Sequence, residues 1–114
     1  MRNGKRSKVR NMIQIAIPEA KVGEFCRKWK ITDLALFGSV LRKDFRPESD
    51  IDVLVTFEAQ ARWSLMDVVE MQDELERVLG RKVDLVERRA IEQSENYIRR
   101  RHILNSAEPV YVAR

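Results

Sequence analysis

The stretch LALFGSVLRKDFRPESDIDVLV, Leu34 to Val55, decides the fold. An apolar run stops at Gly38-Ser39, a charged segment follows, and a second apolar run opens with Asp50 and Asp52 two residues apart. The first run, DLALFG, reads as a short strand covered on both faces. The second, DIDVLVTFE, reads as a strand rich in Val and Ile, bounded by a turn that contains Pro47. The link from Gly38 to Pro47 cannot hold the dozen or more residues of a covered parallel crossover, so the two strands are expected to run antiparallel.

The flanks extend this core. Pro18 suits the first turn of a helix, with Glu19 beside the positive end of its dipole. Val22, Phe25, Cys26 and Trp29 recur at helical spacing and share one buried face, which makes Cys26 a core residue and not a nucleophile. Ser64 precedes a second helix, with Asp67 completing a capping box. Leu65, Val68, Val69, Leu75, Val78 and Leu79 are expected on its inner side, Trp63 and Met66 off it, and Gly80 at its end. KVDLVE is a third strand. Ser94 is expected to cap a last helix to about Asn105, and PVYVAR to close the chain in extended form. The predicted fold class is α/β (α+β): a mixed sheet of three or slightly more strands with helices packed on it.

At 114 residues the chain suits one domain, expected over residues 13–114 behind a flexible basic arm at 1–12. No apolar run reaches the roughly 18 residues of a membrane span. A lone cysteine fits a reducing cytoplasm. The net charge of +4 is concentrated in Arg2, Lys5, Arg6, Lys8 and Arg10 and in Arg99–Arg101. Such clusters can meet nucleic-acid phosphates, but the N-terminal one has no interleaved aromatic residues for base stacking. His102, the single histidine, falls in the basic helix with no partner for catalysis placed by the sequence.

Asp50 and Asp52 carry the chemistry. Residues two apart on a strand share a face, with α-carbons about 6.6 Å apart. Two such carboxylates repel each other and are costly to desolvate unless a cation lies between them, and hard divalent ions such as Mg²⁺ take oxygen ligands. Asp84 breaks the third apolar strand in the same way. If that strand pairs beside the second, three carboxylates meet at one edge, as a two-metal phosphoryl-transfer site requires. Gly38-Ser39 supplies a tight turn into a short helix, whose free N–H groups and serine hydroxyl suit an anion. Arg42 follows one turn later, where a guanidinium can reach a triphosphate.

In this order, G-S, then S-D-x-D, then a later strand Asp, the sequence resembles the nucleotidyltransferase superfamily that includes DNA polymerase beta. LFGSVLRKDFRPESDIDVLVTFE and LGRKVDLVERRAI are similar to the minimal nucleotidyltransferase, or MNT, domain over about Leu34 to Ile91. The resemblance implies a polymerase beta palm-like core. It implies nucleotide binding by Gly38, Ser39, Arg42 and Ser49, and Mg²⁺ binding, two ions, by the catalytic carboxylates Asp50, Asp52 and Asp84. Lys43 departs from the glycine the family often carries after that arginine. Many stand-alone MNT proteins are antitoxins of HEPN-type ribonuclease toxins. The resemblance therefore implies transfer of AMP from ATP to a tyrosine of such a partner. Two alternatives stay open: a relative that neutralises its partner by binding alone, and a small-molecule nucleotidyltransferase subunit. The latter would want a further substrate-holding domain. A basic nucleic-acid-binding module stands behind these.

Overall fold

The computed structural model describes residue 13 and residues 15–43, 45–46 and 48–113. The expected arm at 1–12, Pro47 of the expected turn and Arg114 lie outside the described residues. Chain order is α1 (Glu19–Lys28), β1 (Ile31–Phe37), a single 3₁₀ turn (Gly38–Leu41), β2 (Ile51–Phe57), α2 (Leu65–Leu79), β3 (Val83–Glu87), α3 (Arg88–Glu92), α4 (Tyr97–Ser106) and β4 (Glu108–Val112). The sheet has four strands in the order β3-β2-β1-β4. β1 is antiparallel to both β2 and β4, as its short link to β2 demands, whereas β2 and β3 are parallel and joined through α2. The expected mixed sheet is thus present, widened by the closing segment pairing as β4. No described helix is long and apolar enough to cross a membrane.

Strand alternation divides the core between the two faces of the sheet. Leu34 and Leu36 of β1, Ile51, Val53 and Val55 of β2, and Val83 of β3 meet Val22, Phe25 and Cys26 of α1, Trp29 at its C-cap, and Met71 and Leu75 of α2. On the other face, Ala35 and Phe37 of β1 and Leu54 of β2 meet Ile91 of α3 and Ile103 of α4. The central strand β1 is apolar on both faces because helices cover both. The second face has the thinner cover, and that opens a place for polar groups at the starts of β2 and β3.

Local signals set the helix ends. Ser64 and Asp67 form the capping box, and Gly80 stops α2 in the left-handed region at φ 71°. Pro18 is one residue further out than expected: its carbonyl accepts the first helical bond, from the Val22 N–H, so it caps α1 from outside. The cap of α4 is Asn96, not Ser94. The Asn96 side chain accepts from the Arg99 N–H, while Ser94 Oγ accepts from the Asn96 N–H. The helix α3 follows β3 without a break and had no sequence expectation.

Two expectations for α2 are corrected. Leu65 is 80% exposed and Val69 47% exposed, so neither belongs to its inner side. That side centres on Met71 and Leu75, and Val69, two residues from Met71, points about 200° away round the helix. Trp63 was expected off the core, yet it packs against it. Its ring meets Trp29 edge-on at 5.2 Å between centroids and Phe57 at 6.3 Å.

Candidate active site

β1 delivers Gly38. Phe37, its last residue, pairs with Asp52, so the chain turns beside that carboxylate. Gly38 takes φ +77°, and a Cβ built there would overlap Asp52 Oδ2 and stand 3.2 Å from Asp52 Cγ. Glycine is required twice: for the left-handed backbone and for the space the aspartate occupies. Ser39 follows on the 3₁₀ turn, half-buried, and its carbonyl accepts from the Arg42 N–H at 2.9 Å. Among the described residues its hydroxyl has no hydrogen-bond partner, so it is available to a ligand.

β2 and β3 deliver the carboxylates. Their parallel register sets Asp52 directly beside Asp84. Asp52 alternates with the core residues Ile51 and Val53, which places it on the same face as Leu54, at the strand start where the cover of α3 and α4 ends. Asp84 lies on that face too and is exposed. Asp50 precedes β2 and is exposed, with the Ile51 N–H bound to the Lys82 carbonyl at 2.9 Å between them. The Asp52 carboxyl is pushed above its ordinary value by burial first, then by the negative charges of Asp84 and Asp50, while the Arg99 guanidinium opposes the rise. Burial and two like charges both disfavour the ionised form, which leaves a charge deficit that a bound cation would fill.

The sequence expectation of a gathered trio is met unevenly. Asp52 and Asp84 are brought side by side, and Asp50 is near enough for its charge to act on Asp52. Among the described residues, however, no group of three or more His, Cys, Asp and Glu side chains stands close enough to hold a metal ion as arranged. Arg42 and Lys43 are exposed at the end of the 3₁₀ turn, and Ser49 is half-buried, its N–H bound to the Arg46 carbonyl at 3.0 Å. Arg99 went unrecognised in the sequence as a neighbour of this site. Spacing puts it on the helix face of Ile103, four residues on, but not where that face lands on the sheet.

The profile of the nucleotidyltransferase domain matches residues 19–106, which contain every residue of this site. The chain belongs to the nucleotidyltransferase domain family. Among its relatives, protein adenylyltransferase MntA of Thermococcus cleftensis is 36% identical over 63 residues, 55% of this chain and 62% of its own. The chain spans just under two thirds of three curated relatives' lengths, at 64%, 63% and 62%. A crystal structure of a toxin–antitoxin with AMP-PNP superposes with a TM-score of 0.63 at 21% identity, covering 86% of this chain and 76% of the matched one. A complex of tri-AMPylated Shewanella oneidensis HEPN toxin with MNT antitoxin gives 0.54 at 22% identity, over 83% and 70%. At those identities the two structures show a shared nucleotidyltransferase fold.

Proposed function

We propose that this chain transfers AMP from ATP to a tyrosine of a partner HEPN-type ribonuclease toxin in the cytoplasm, and so acts as its antitoxin. One observation carries the reading: a glycine that has no room for a side chain sets the Gly38-Ser39 turn against Asp52, which is paired in register with Asp84. A turn suited to phosphate and a repelling carboxylate pair thereby share one edge of a rigid sheet. The MntA relative is a protein adenylyltransferase, and the structural neighbours include an AMP-PNP complex and an AMPylated toxin, which supports ATP and a protein acceptor.

The donor set fits hard divalent ions: all-oxygen, anionic, and left with like-charge repulsion at Asp52. Asp50, Asp52 and Asp84 would hold Mg²⁺, which when bound would neutralise phosphate charge and polarise the phosphoryl group. Ser39 would donate its hydroxyl to a phosphate oxygen, and Gly38 would let the backbone approach the triphosphate. Arg42 and Ser49 would complete the nucleotide contacts, with Lys43 beside them as an added cation. In the transfer, the tyrosine oxygen forms a bond to the α-phosphorus, the bond from that phosphorus to the β-bridging oxygen breaks, and pyrophosphate leaves as the phenol loses its proton.

The test mixes this protein with its HEPN partner, ATP and Mg²⁺, and follows the partner's intact mass together with RNA cleavage. A mass gain of one or more AMP groups with loss of cleavage is expected. Inhibition that persists in the Asp50→Ala, Asp52→Ala double variant, with no mass gain, would leave a binding antitoxin instead.

A further inference from the structure

The arginines at 99 to 101 have different surroundings. Arg100 donates from Nη1 to the Ser94 carbonyl at 2.9 Å and lies over the Tyr97 ring, 5.4 Å from its centroid. Arg101 donates from Nη1 to the Tyr97 hydroxyl at 3.0 Å. Among the described residues the Arg99 guanidinium makes no hydrogen bond or ion pair. Its helix face is that of Ile103, which is buried with Phe37 and Leu54. Phe37 is the register partner of Asp52, and Leu54 lies two residues along the same strand face. Arg99 therefore stands one helical turn beyond the α4 contact with the sheet, toward the carboxylate edge.

We propose that Arg99 is a phosphate-binding residue of the nucleotide site, meeting the polyphosphate from the α4 side while Gly38 and Ser39 meet it from the β1 side. The proposal rests on the nucleotide site described above and adds a residue from outside its motif. The Arg99 charge opposes the negative charges around Asp52, in keeping with its place on the Ile103 face of α4. In the free protein the guanidinium partly offsets the carboxylates. Once a divalent cation takes them over, like charge turns the guanidinium away from the metal with its donors still unpaired. A planar fork of N–H groups then suits phosphate oxygens. Because the side chain is exposed, it can make this exchange without a large desolvation cost.

The two roles predict effects of opposite sign, measured by calorimetric titration of Mn²⁺ alone and of AMP-PNP in saturating Mn²⁺. In Arg99→Ala, Mn²⁺ alone should bind about two- to fivefold tighter, the scale of one screened charge pair. AMP-PNP should bind at least about tenfold more weakly, the loss of a charge-assisted hydrogen bond. Arg99→Lys should keep the wild-type Mn²⁺ affinity and fall between for AMP-PNP, and Arg101→Ala should change neither. Unchanged AMP-PNP affinity in Arg99→Ala, with wild type binding normally, would overturn this proposal alone. An unchanged Mn²⁺ affinity would do the same, by removing the guanidinium from the carboxylates. A wild-type protein that binds no AMP-PNP with Mn²⁺ would overturn the nucleotide site itself, and Arg99 with it.

Discussion

A methyl group at position 38 would have to displace the Asp52 carboxylate or distort a backbone held at φ +77°. The carboxylate is the movable end of a side chain, so Gly38→Ala should leave a folded protein destabilised by about 1–2 kcal/mol, the cost of a left-handed non-glycine residue. Transfer should fall much further than stability, because the displaced group is Asp52. Urea midpoints and AMP incorporation, measured on one preparation, separate the two; an active Gly38→Ala protein would show that the close approach has no catalytic role. Asp52 itself is a stability liability of known sign. Its folded pKa lies above the ordinary value of 3.8, so over that interval the folded protein holds more protons than the unfolded chain. Stability thus falls as pH rises from 3.8 through the folded value and stays lowered above it. Asp52→Asn should be slightly more stable than wild type at neutral pH, by no more than about 1 kcal/mol after solvent screening. The gain should vanish below pH 3.8. Transfer should drop at least about a hundredfold, as when one preorganised electrostatic group is removed. A loss of stability at neutral pH would make Asp52 a structural residue.

Between elements, the polar clamp of α1 on α2 is Glu74. Its Oε1 accepts from Lys28 Nζ at 2.8 Å and from Trp29 Nε1 at 3.1 Å. Burial works against its charge, yet those hydrogen bonds, with the positive charges of Lys28 and Arg77, hold its carboxyl below the ordinary 4.5. Glu74→Ala leaves the Trp29 N–H without its acceptor and should cost about 1 kcal/mol at pH 7. A lowered folded pKa contributes stability above 4.5 that is lost as pH falls through the folded value, so the gap between variant and wild type should close in acid. A gap independent of pH would mean that packing, not charge, makes the clamp. The helix faces of α1 and the strands β1, β2 and β3 were legible in the sequence, because runs such as LALF and VLV are buried on two faces and need little context. The outward turn of Leu65 and Val69 was not, since spacing shows which residues are apolar but not where the sheet beneath a helix lies. Trp63 precedes the helix and meets the core through ring contacts with Phe57 and with Trp29, far earlier in the chain. In the same way Gly38, Asp52 and Asp84 could be named from motif and alternation, whereas Arg99 needed the packing of α4 across the sheet.

For the molecule as a whole, the acceptor is the question, since positioning a hydroxyl in line with the α-phosphate supplies much of the rate in such transfers. Among the described residues every buried residue is apolar, and the helices and strands use them to cover the two sheet faces. One cleft, about 680 Å³, is lined by Thr56 and Phe57 at the end of β2, Glu87 at the end of β3 and Arg88 at the start of α3, away from the strand starts where Asp52 and Asp84 sit. A second cleft, on the outer side of α4, also includes none of the carboxylates. Neither cleft lies beside the carboxylates, which supports an acceptor hydroxyl brought to the reacting phosphate on a second macromolecule. Specific association needs about 1,000 Å² or more of buried surface. Tyr97 and Ile98, 55% and 78% exposed, lie next to Arg99 and can lend apolar area near the site. We expect ATP and Mg²⁺ to support no AMP transfer from this chain to free tyrosine or short tyrosine peptides, and fast transfer once the folded HEPN partner is added. Labelled ATP distinguishes the cases in one gel and one thin-layer plate. Label on a free tyrosine peptide at a rate near that for the partner would show that the chain carries its own acceptor site, and the small-molecule enzyme would then be the better account of this protein.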